Sequence, residues 1–422
     1  MPSNPSSTLP LKGIKVVELC HLIAGPYCCQ MLADEGAHVI KVEPPDGELT
    51  RHREPTRRLE DGEITAYYAS LNRDKESVSL DLKNAEGAKI LEKLIGDADI
   101  FVTNMRVGAL ERLGFHPDAL RKRYPRLIVA VISGFGMHNA GGFADRAGLA
   151  MVAEAKAGAT GLTRDHSGNA VWCGFALGDI MAAVSAHAGI LLALRNQEKL
   201  GEGRLIDTAL VECMLPMIGV ALSRVQVEDK ELQTSTGSNN FHGVPYGAYP
   251  ASDGFVNIGC NRDEFWRRLA VAMGQPELGT DERYATYRAR VKNQKEVQTI
   301  TQTWTRAHTR AEIEALLVKA DVPVAGVLSM EEVASDTYLR GRGALCDVDD
   351  GFGGNFVLPT NAAWREDVPH KPRVPRLGEH RNKVLTKDLG MTTEEVARLE
   401  AAGAFGAPKA VPKVPAALAA AD

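Results

Sequence analysis

A chain of 422 residues is long for one domain and reads as two, or as one with a large insert. A hydrophobic share of 44% supports a sizeable core, and a formal net charge of -5 argues against general nucleic-acid binding. The seven cysteines (Cys20, Cys28, Cys29, Cys173, Cys213, Cys260 and Cys346) are odd in number, scattered and without a C-x-x-C pair. Neither a disulfide framework nor a zinc site is therefore expected. Met1-Pro2-Ser3-Asn4-Pro5 is not a basic segment leading into an apolar run, and no apolar stretch reads as membrane-spanning. The expectation is a soluble, cytoplasmic enzyme.

In chain order, residues 1–10 read as a loose tail and residues 14–19 as a first strand. Gly25-Pro26 opens a helix over 27–35, which Gly36 ends, and residues 38–43 read as a second strand. The turn from Cys20 to Pro26 holds one glycine and lacks G-x-G-x-x-G, so a dinucleotide pyrophosphate site is not expected. Residues 48–60 form a charged loop with Arg51, His52, Arg53, Arg57 and Arg58; it reads either as a solvated loop or as an anion-binding mouth. Strands are expected over 77–82, 99–104 and 127–132, with an amphipathic helix over 85–96. This alternation predicts an α/β layer with a mostly parallel sheet. Ligands bind beyond the carboxyl ends of such strands, which makes His21 and Asn104 candidates by position.

Residues 141–168 are small and flexible in composition. They lead to Gly174-Phe175-Ala176-Leu177-Gly178-Asp179 and an apolar helix ending near Arg195. Asp179 is the carboxylate at the start of that helix. Two readings are open: a cap for the free N–H groups of the first turn, or a nucleophile held among them. A strand over 205–208 and a connecting helix over 211–228 follow, then a polar boundary over 228–240. Residues 247–258 read as a hairpin turning at Asp253-Gly254, followed by helices near 262–273, 295–304 and 311–320. Loop and strand fill 345–380, a last helix spans 393–402, and 408–422 reads as a disordered tail. The expected division is a large domain from 1–205 and 346–422 and a small domain at 236–330, with connectors at 206–235 and 331–345.

Several stretches in order carry a family resemblance. They are Leu11-Lys12-Gly13-Ile14-Lys15-Val16-Val17-Glu18, Ala24-Gly25-Pro26, Gly36-Ala37-His38-Val39-Ile40-Lys41-Val42-Glu43 and Asn72-Arg73-Asp74-Lys75. Further along come Leu80-Asp81-Leu82-Lys83, Gly108-Ala109-Leu110-Glu111-Arg112-Leu113-Gly114, Gly178-Asp179 and Leu377-Gly378-Glu379-His380. Over residues 11–403 the chain resembles the family III CoA-transferases, the group that includes formyl-CoA transferase and carnitine CoA-transferase.

The resemblance implies a large Rossmann-like parallel-sheet domain built from both chain ends, a smaller mixed α/β domain and an interlocked homodimer. It implies Asp179 as the nucleophile, working through an aspartyl anhydride and then an aspartyl-CoA thioester. A carboxylate nucleophile suits an exchange between carboxylates, because each step is then nearly thermoneutral and no general base is needed. The implied coenzyme A contacts are His21, Ala24, Leu80, Lys83, Asn104, Met105, Arg106 and Arg112. Acyl-CoA and a carboxylic acid are the implied substrates, with no permanently bound cofactor, metal, nucleic acid or membrane.

Ile23 stands where formyl-CoA transferases carry glutamine, their tetraglycine loop is not found, and Arg53 falls near their channel tryptophan. Formyl-CoA and oxalate are therefore not expected. A dicarboxylic acid, paired by Arg51 or Arg53, is expected instead. Two other readings remain open. One is a 2-methylacyl-CoA racemase on the same fold, whose His-Asp pair would fall in Gly148-Leu149-Ala150-Met151-Val152-Ala153, where there is no histidine. The other is a non-catalytic CoA-binding subunit of a heteromeric transferase.

Overall fold

The computed structural model describes residues 9–59, 62–138, 141–144, 146–165, 167–227, 243–363 and 371–406. The expected polar boundary at 228–240 and the tail at 408–422 lie outside them. The chain forms two compact units, one drawn from 1–153, 176–215 and 337–422, the other from 154–175 and 216–336.

The first unit contains β1 (Lys15–Leu19), β2 (His38–Glu43), β3 (Thr56–Leu59), β4 (Gly62–Thr65), β5 (Glu76–Ser79), β6 (Ile100–Thr103), β7 (Ile128–Ser133) and β8 (Leu205–Ala209). Six of these strands make one parallel sheet in the order β5-β2-β1-β6-β7-β8. Their sequences are nearly continuous runs of valine and isoleucine, as strands covered on both faces require. Val16, Val39, Val102 and Ile132 pack on one face against helices Ala24–Asp34 and Leu177–Leu200. Val17, Ile40, Phe101 and Val131 pack on the other against helix Ala85–Gly96 and against Val384, Leu385 and Val396 from the far end of the chain. This is the expected α/β layer with a parallel sheet, and both chain ends build it.

Three local expectations are corrected. Within the charged loop, β3 and β4 pair antiparallel, with Thr56 opposite Thr65 and Arg57 opposite Ile64. The exposed charged side chains of Arg57, Arg58 and Glu63 hide the strand pattern, leaving Ile64 and Thr65 as its buried positions. Inside the small-residue stretch, Ala150–Ala157 is a helix, which its four alanines favour. Lastly, helices Leu177–Leu200 and Leu210–Val227 are long and apolar enough to cross a membrane by length and composition alone. One side of the first lies in the sheet's hydrophobic core at Ala182, Ala183, Ala186 and Ile190, while Val184 and Leu192 are exposed.

In the second unit, β9 (Tyr246–Ala251) and β10 (Gly254–Gly259) form the expected hairpin, and β11 (Val324–Gly326) adds to β10. Trp266, Leu269, Val297, Ile313 and Leu317, from helices Asp263–Ala272, Gln294–Arg306 and Arg310–Lys319, close a core over it. A capping box of Thr309 and Glu312 starts the last of these helices. Back in the first unit, β12 (Leu345–Asp349) and β13 (Asn355–Pro359) pair antiparallel, and Val348 and Leu358 pack against Ile64 and Tyr68.

Candidate active site

Chain direction locates the start of the Asp179 helix. Leu177–Leu200 runs 24 residues and then enters β8 at Leu205, so its C-terminus lies at the amino end of the sheet. Such a helix is about 36 Å long, against roughly 17–20 Å for a strand of five or six residues. Its N-terminus therefore stands beyond the carboxyl ends of the strands, where His21 and Asn104 also lie. The helix start is seated closely: a Cβ on Gly178 would stand 3.3 Å from the carbonyl oxygen of Ala150.

Asp179 is the third helical residue and half-buried, while the cap position is Ala176, which offers no side-chain bond. The carboxylate is thus in the first turn, near its free N–H groups, without being the cap. Tyr67 shares its surroundings. Burial raises the Tyr67 phenol above its ordinary range, the negative charges of Asp179 and Glu48 raise it further, and Arg53 opposes them. Tyr67 lies in the short helix Ala66–Ala69, which Thr65 caps. Sequence reading missed it; the signal available was a tyrosine pair close behind an arginine-rich loop.

The turn after β1 holds several of the expected residues. Asn104, just past β6, donates from Nδ2 to the His21 carbonyl at 2.7 Å and accepts the His21 N–H at 3.0 Å. Burial, helped by the charge of Lys41 and opposed by Glu48, holds the His21 imidazole below its usual range. Leu22 adopts a positive φ of 62°, and its N–H donates to the buried Glu48 carboxylate at 3.3 Å. Ala24 is buried at the helix start, and Gly25 admits no side chain because a Cβ would stand 2.4 Å from Cys20 Sγ.

Leu80 is fully buried just past β5, with Lys83 exposed three residues on. The Met105 N–H donates to Thr103 Oγ1 at 3.2 Å, and Arg106 and Arg112 are exposed on either side of helix Val107–Arg112. Among the described residues, Lys83, Arg106 and Arg112 have no ion-pair partner.

The arginine loop divides sharply. Arg51 is spent on structure: its guanidinium grips Glu43 through two bonds of 2.7 and 2.8 Å and stacks 3.6 Å over the Tyr68 ring. Arg57 pairs with Asp350, Arg58 with Glu54, and the His52 ring meets the Asp46 carbonyl. Arg53 is exposed and makes no side-chain hydrogen bond or ion pair to a described residue. It is the loop cation in the electrostatic neighbourhood of Tyr67, which Asp179 shares.

A possible ligand cluster lies elsewhere: His38, Glu76 and Asp388 bring ligand atoms within 4.8 Å of one another. Glu76 is already paired with both His38 and Lys383, which hold its carboxyl down at about 2 although burial pushes the other way. At residues 148–153 no side chain can give or take a proton at neutral pH.

Comparison with known proteins gives the family. The sequence profile described as CoA-transferase family III matches residues 11–381. The chain is 34% identical over 403 residues to succinyl-CoA–D-citramalate CoA-transferase of Chloroflexus aurantiacus, covering 93% of this chain and 97% of that protein. It is 32% identical over 393 residues to succinate–glutarate CoA-transferase of Agrobacterium fabrum, covering 92% and 98%. The crystal structure of a CAIB/BAIF family protein from Brucella suis superimposes with a TM-score of 0.80 at 30% identity, covering 90% of this chain and 100% of that one. Fold and matches together define a transferase acting on CoA thioesters. The chain belongs to CoA-transferase family III.

Proposed function

We propose that the enzyme moves coenzyme A from an acyl-CoA donor to a dicarboxylic acid, with Asp179 as the acyl acceptor. The observation that carries this is the half-buried Asp179 in the first turn of helix Leu177–Leu200, whose negative charge acts on the Tyr67 phenol against the positive charge of Arg53. Asp179 attacks the donor thioester and forms an anhydride, releasing the CoA thiolate. The thiolate returns to give an aspartyl-CoA thioester and free donor acid. The acceptor carboxylate attacks that thioester, and the thiolate then takes the new acyl group. A carboxylate is ionised at neutral pH, so no base has to be found for the first step.

On this reading Lys83, Arg106 and Arg112 meet CoA phosphates, while His21, Ala24, Leu80, Asn104 and Met105 line its path. Arg53, rather than the already paired Arg51, holds the second carboxylate of the acid. Relatives named for succinyl-CoA and for succinate and glutarate favour a four- or five-carbon dicarboxylate. The racemase reading gains no proton-transfer residue at 148–153. The proposal includes a cytoplasmic homodimer without permanent cofactor. The exposed Val220, Leu222 and Val225 are apolar surface that a second copy would cover. It also includes the domain division at 205, 235, 330 and 345.

The test is a turnover screen of succinyl-CoA and acetyl-CoA against mono- and dicarboxylic acids, with Asp179→Ala as control. The variant is expected to lose transfer while binding CoA within about tenfold of the parent. Acyl-CoA followed by hydroxylamine should mark Asp179 in a mass spectrum. Full transfer by Asp179→Ala would end the proposal, and sedimentation as a monomer at micromolar concentration would end its dimer.

A further inference from the structure

Beneath the turn between β1 and helix Ala24–Asp34, three charged side chains are wholly removed from water. Glu18 on β1 accepts from Lys41 Nζ of β2 at 2.7 Å, and its other oxygen lies 2.8 Å from Lys75 Nζ, all three side chains having no exposure. Buried ion sets of this kind seldom beat a well-packed apolar core in stability, so their presence asks for another use.

The lysines supply one. An ammonium has three donors, and Glu18 does not exhaust them. Lys41 Nζ also donates to the Cys20 carbonyl at 3.3 Å. Lys75 Nζ donates to the Pro26 carbonyl at 2.8 Å and to Asn72 Oδ1 at 2.9 Å. Between these points, buried Glu48 accepts the Leu22 N–H. Buried charges thus hold the chain at positions 20, 22 and 26, bracketing His21 to Ala24. Leu22 has the left-handed backbone conformation that a branched residue adopts only under restraint. Apolar side chains could fill the same volume, but they could not hold a carbonyl.

We infer that the Glu18–Lys41–Lys75 set is a positioning device for acyl-CoA binding. Glu18 anchors two lysines whose remaining donors fix the Cys20 and Pro26 carbonyls, so that the backbone from His21 to Ala24 is preformed for the thioester substrate. The inference rests on the reading of His21 and Ala24 as coenzyme A contacts.

Lys75→Met keeps the side chain's bulk and removes its donors. The full-length variant is expected to raise the Kd for coenzyme A and the KM for acyl-CoA at least tenfold, with the KM for the acid within twofold. Glu18→Gln combined with Lys75→Met removes the carboxylate that the single change leaves half-paired, and should show the same CoA defect in a protein that folds. His21→Trp, which crowds the half-buried turn itself in a variant checked to be folded, separates two failures. If it leaves the CoA Kd unchanged, the turn is not a CoA contact and the underlying reading falls. If it abolishes binding while the folded Lys75 variants bind CoA like the parent, the turn keeps its role and the positioning inference is overturned. A lower melting temperature with an unchanged Kd would likewise overturn it, as the mark of a merely structural role.

Discussion

Asn104 clasps the backbone of His21 at both of its polar groups, donating to the carbonyl at 2.7 Å and accepting the N–H at 3.0 Å. This single side chain ties the ends of the adjacent parallel strands β1 and β6 together. Its place at the mouth of the sheet suggested a ligand contact from sequence; its first duty is to hold the turn. Asn104→Ala leaves both His21 groups without that partner, at a cost of about 1–3 kcal/mol. Asn104→Asp keeps the acceptor but sets a carboxylate against the His21 carbonyl. Urea unfolding of both variants should show the loss, and CoA titration should show weaker binding.

Arg51 and Arg53 are separable by experiment. Arg51→Ala leaves the fully buried Glu43 carboxylate without its guanidinium. A loss of about 3–5 kcal/mol in stability is expected, as for breaking a buried pair. Arg53→Ala removes an exposed side chain with no side-chain partner among the described residues, and stability should stay within about 0.5 kcal/mol. Its effect should fall on the KM of the acid, by on the order of 2–3 kcal/mol for a lost charge-assisted contact. An acid KM unmoved by Arg53→Ala would remove the arginine from acid recognition.

Glu43 gives the fold an acid-sensitive point. Burial by itself would raise its carboxyl, yet Arg51, Lys41 and the Ser77 hydroxyl hold it at about 2, below the ordinary 4.5. A depressed folded-state value means that the unfolded chain takes up the proton first as pH falls. The stabilisation is therefore complete above about pH 4.5 and drains away between there and about pH 2. Unfolding free energy measured from pH 6 to pH 3 should fall, and Glu43→Gln should flatten that slope. An equal slope in the variant would assign the acid loss to other carboxylates.

Two glycines should respond in opposite ways to alanine. A Cβ on Gly134 would stand 2.5 Å from the Gly148 Cα, a backbone atom with no freedom to move aside. Gly134→Ala should cost several kcal/mol or prevent folding, because it drives apart the end of β7 and the segment leading to helix Ala150–Ala157. Gly219 begins helix Gly219–Val227, with nothing within 4 Å of an added Cβ. Gly219→Ala should be neutral or stabilise by up to about 1 kcal/mol. Thermal melts of the two variants provide the comparison.

The elements of the sheet were legible because their signals are local. Runs such as Val16-Val17 and Ile128-Val129-Ala130-Val131-Ile132 announce strands buried on both faces, whatever surrounds them. The glycine before Asp179 and the small apolar residues after it likewise announce a helix start with one carboxylate, and the quoted stretches place the chain in its family. One point of composition was misjudged: two helices, Leu177–Leu200 and Leu210–Val227, are long and apolar enough to cross a membrane, and length and composition alone cannot tell a helix that packs one side into a core from one that faces lipid.

What only the tertiary structure decided was which charged groups are already engaged. In sequence, Arg51, Arg53 and Arg57 are three equivalent cations in one loop. In the fold, Arg51 closes on Glu43 of β2, and Arg57 reaches Asp350, 293 residues away, leaving Arg53 exposed and without a side-chain ion pair among the described residues. The same holds for Glu18, Lys41 and Lys75, scattered over three stretches and joined below the His21 turn. Tyr67, silent in the sequence, is brought into the field of Asp179. Strand and helix propensities act over a few residues and can be read in order. The pairing of charges depends on which strand ends the parallel sheet sets side by side, and that order, β5-β2-β1-β6-β7-β8, is not the order of the chain.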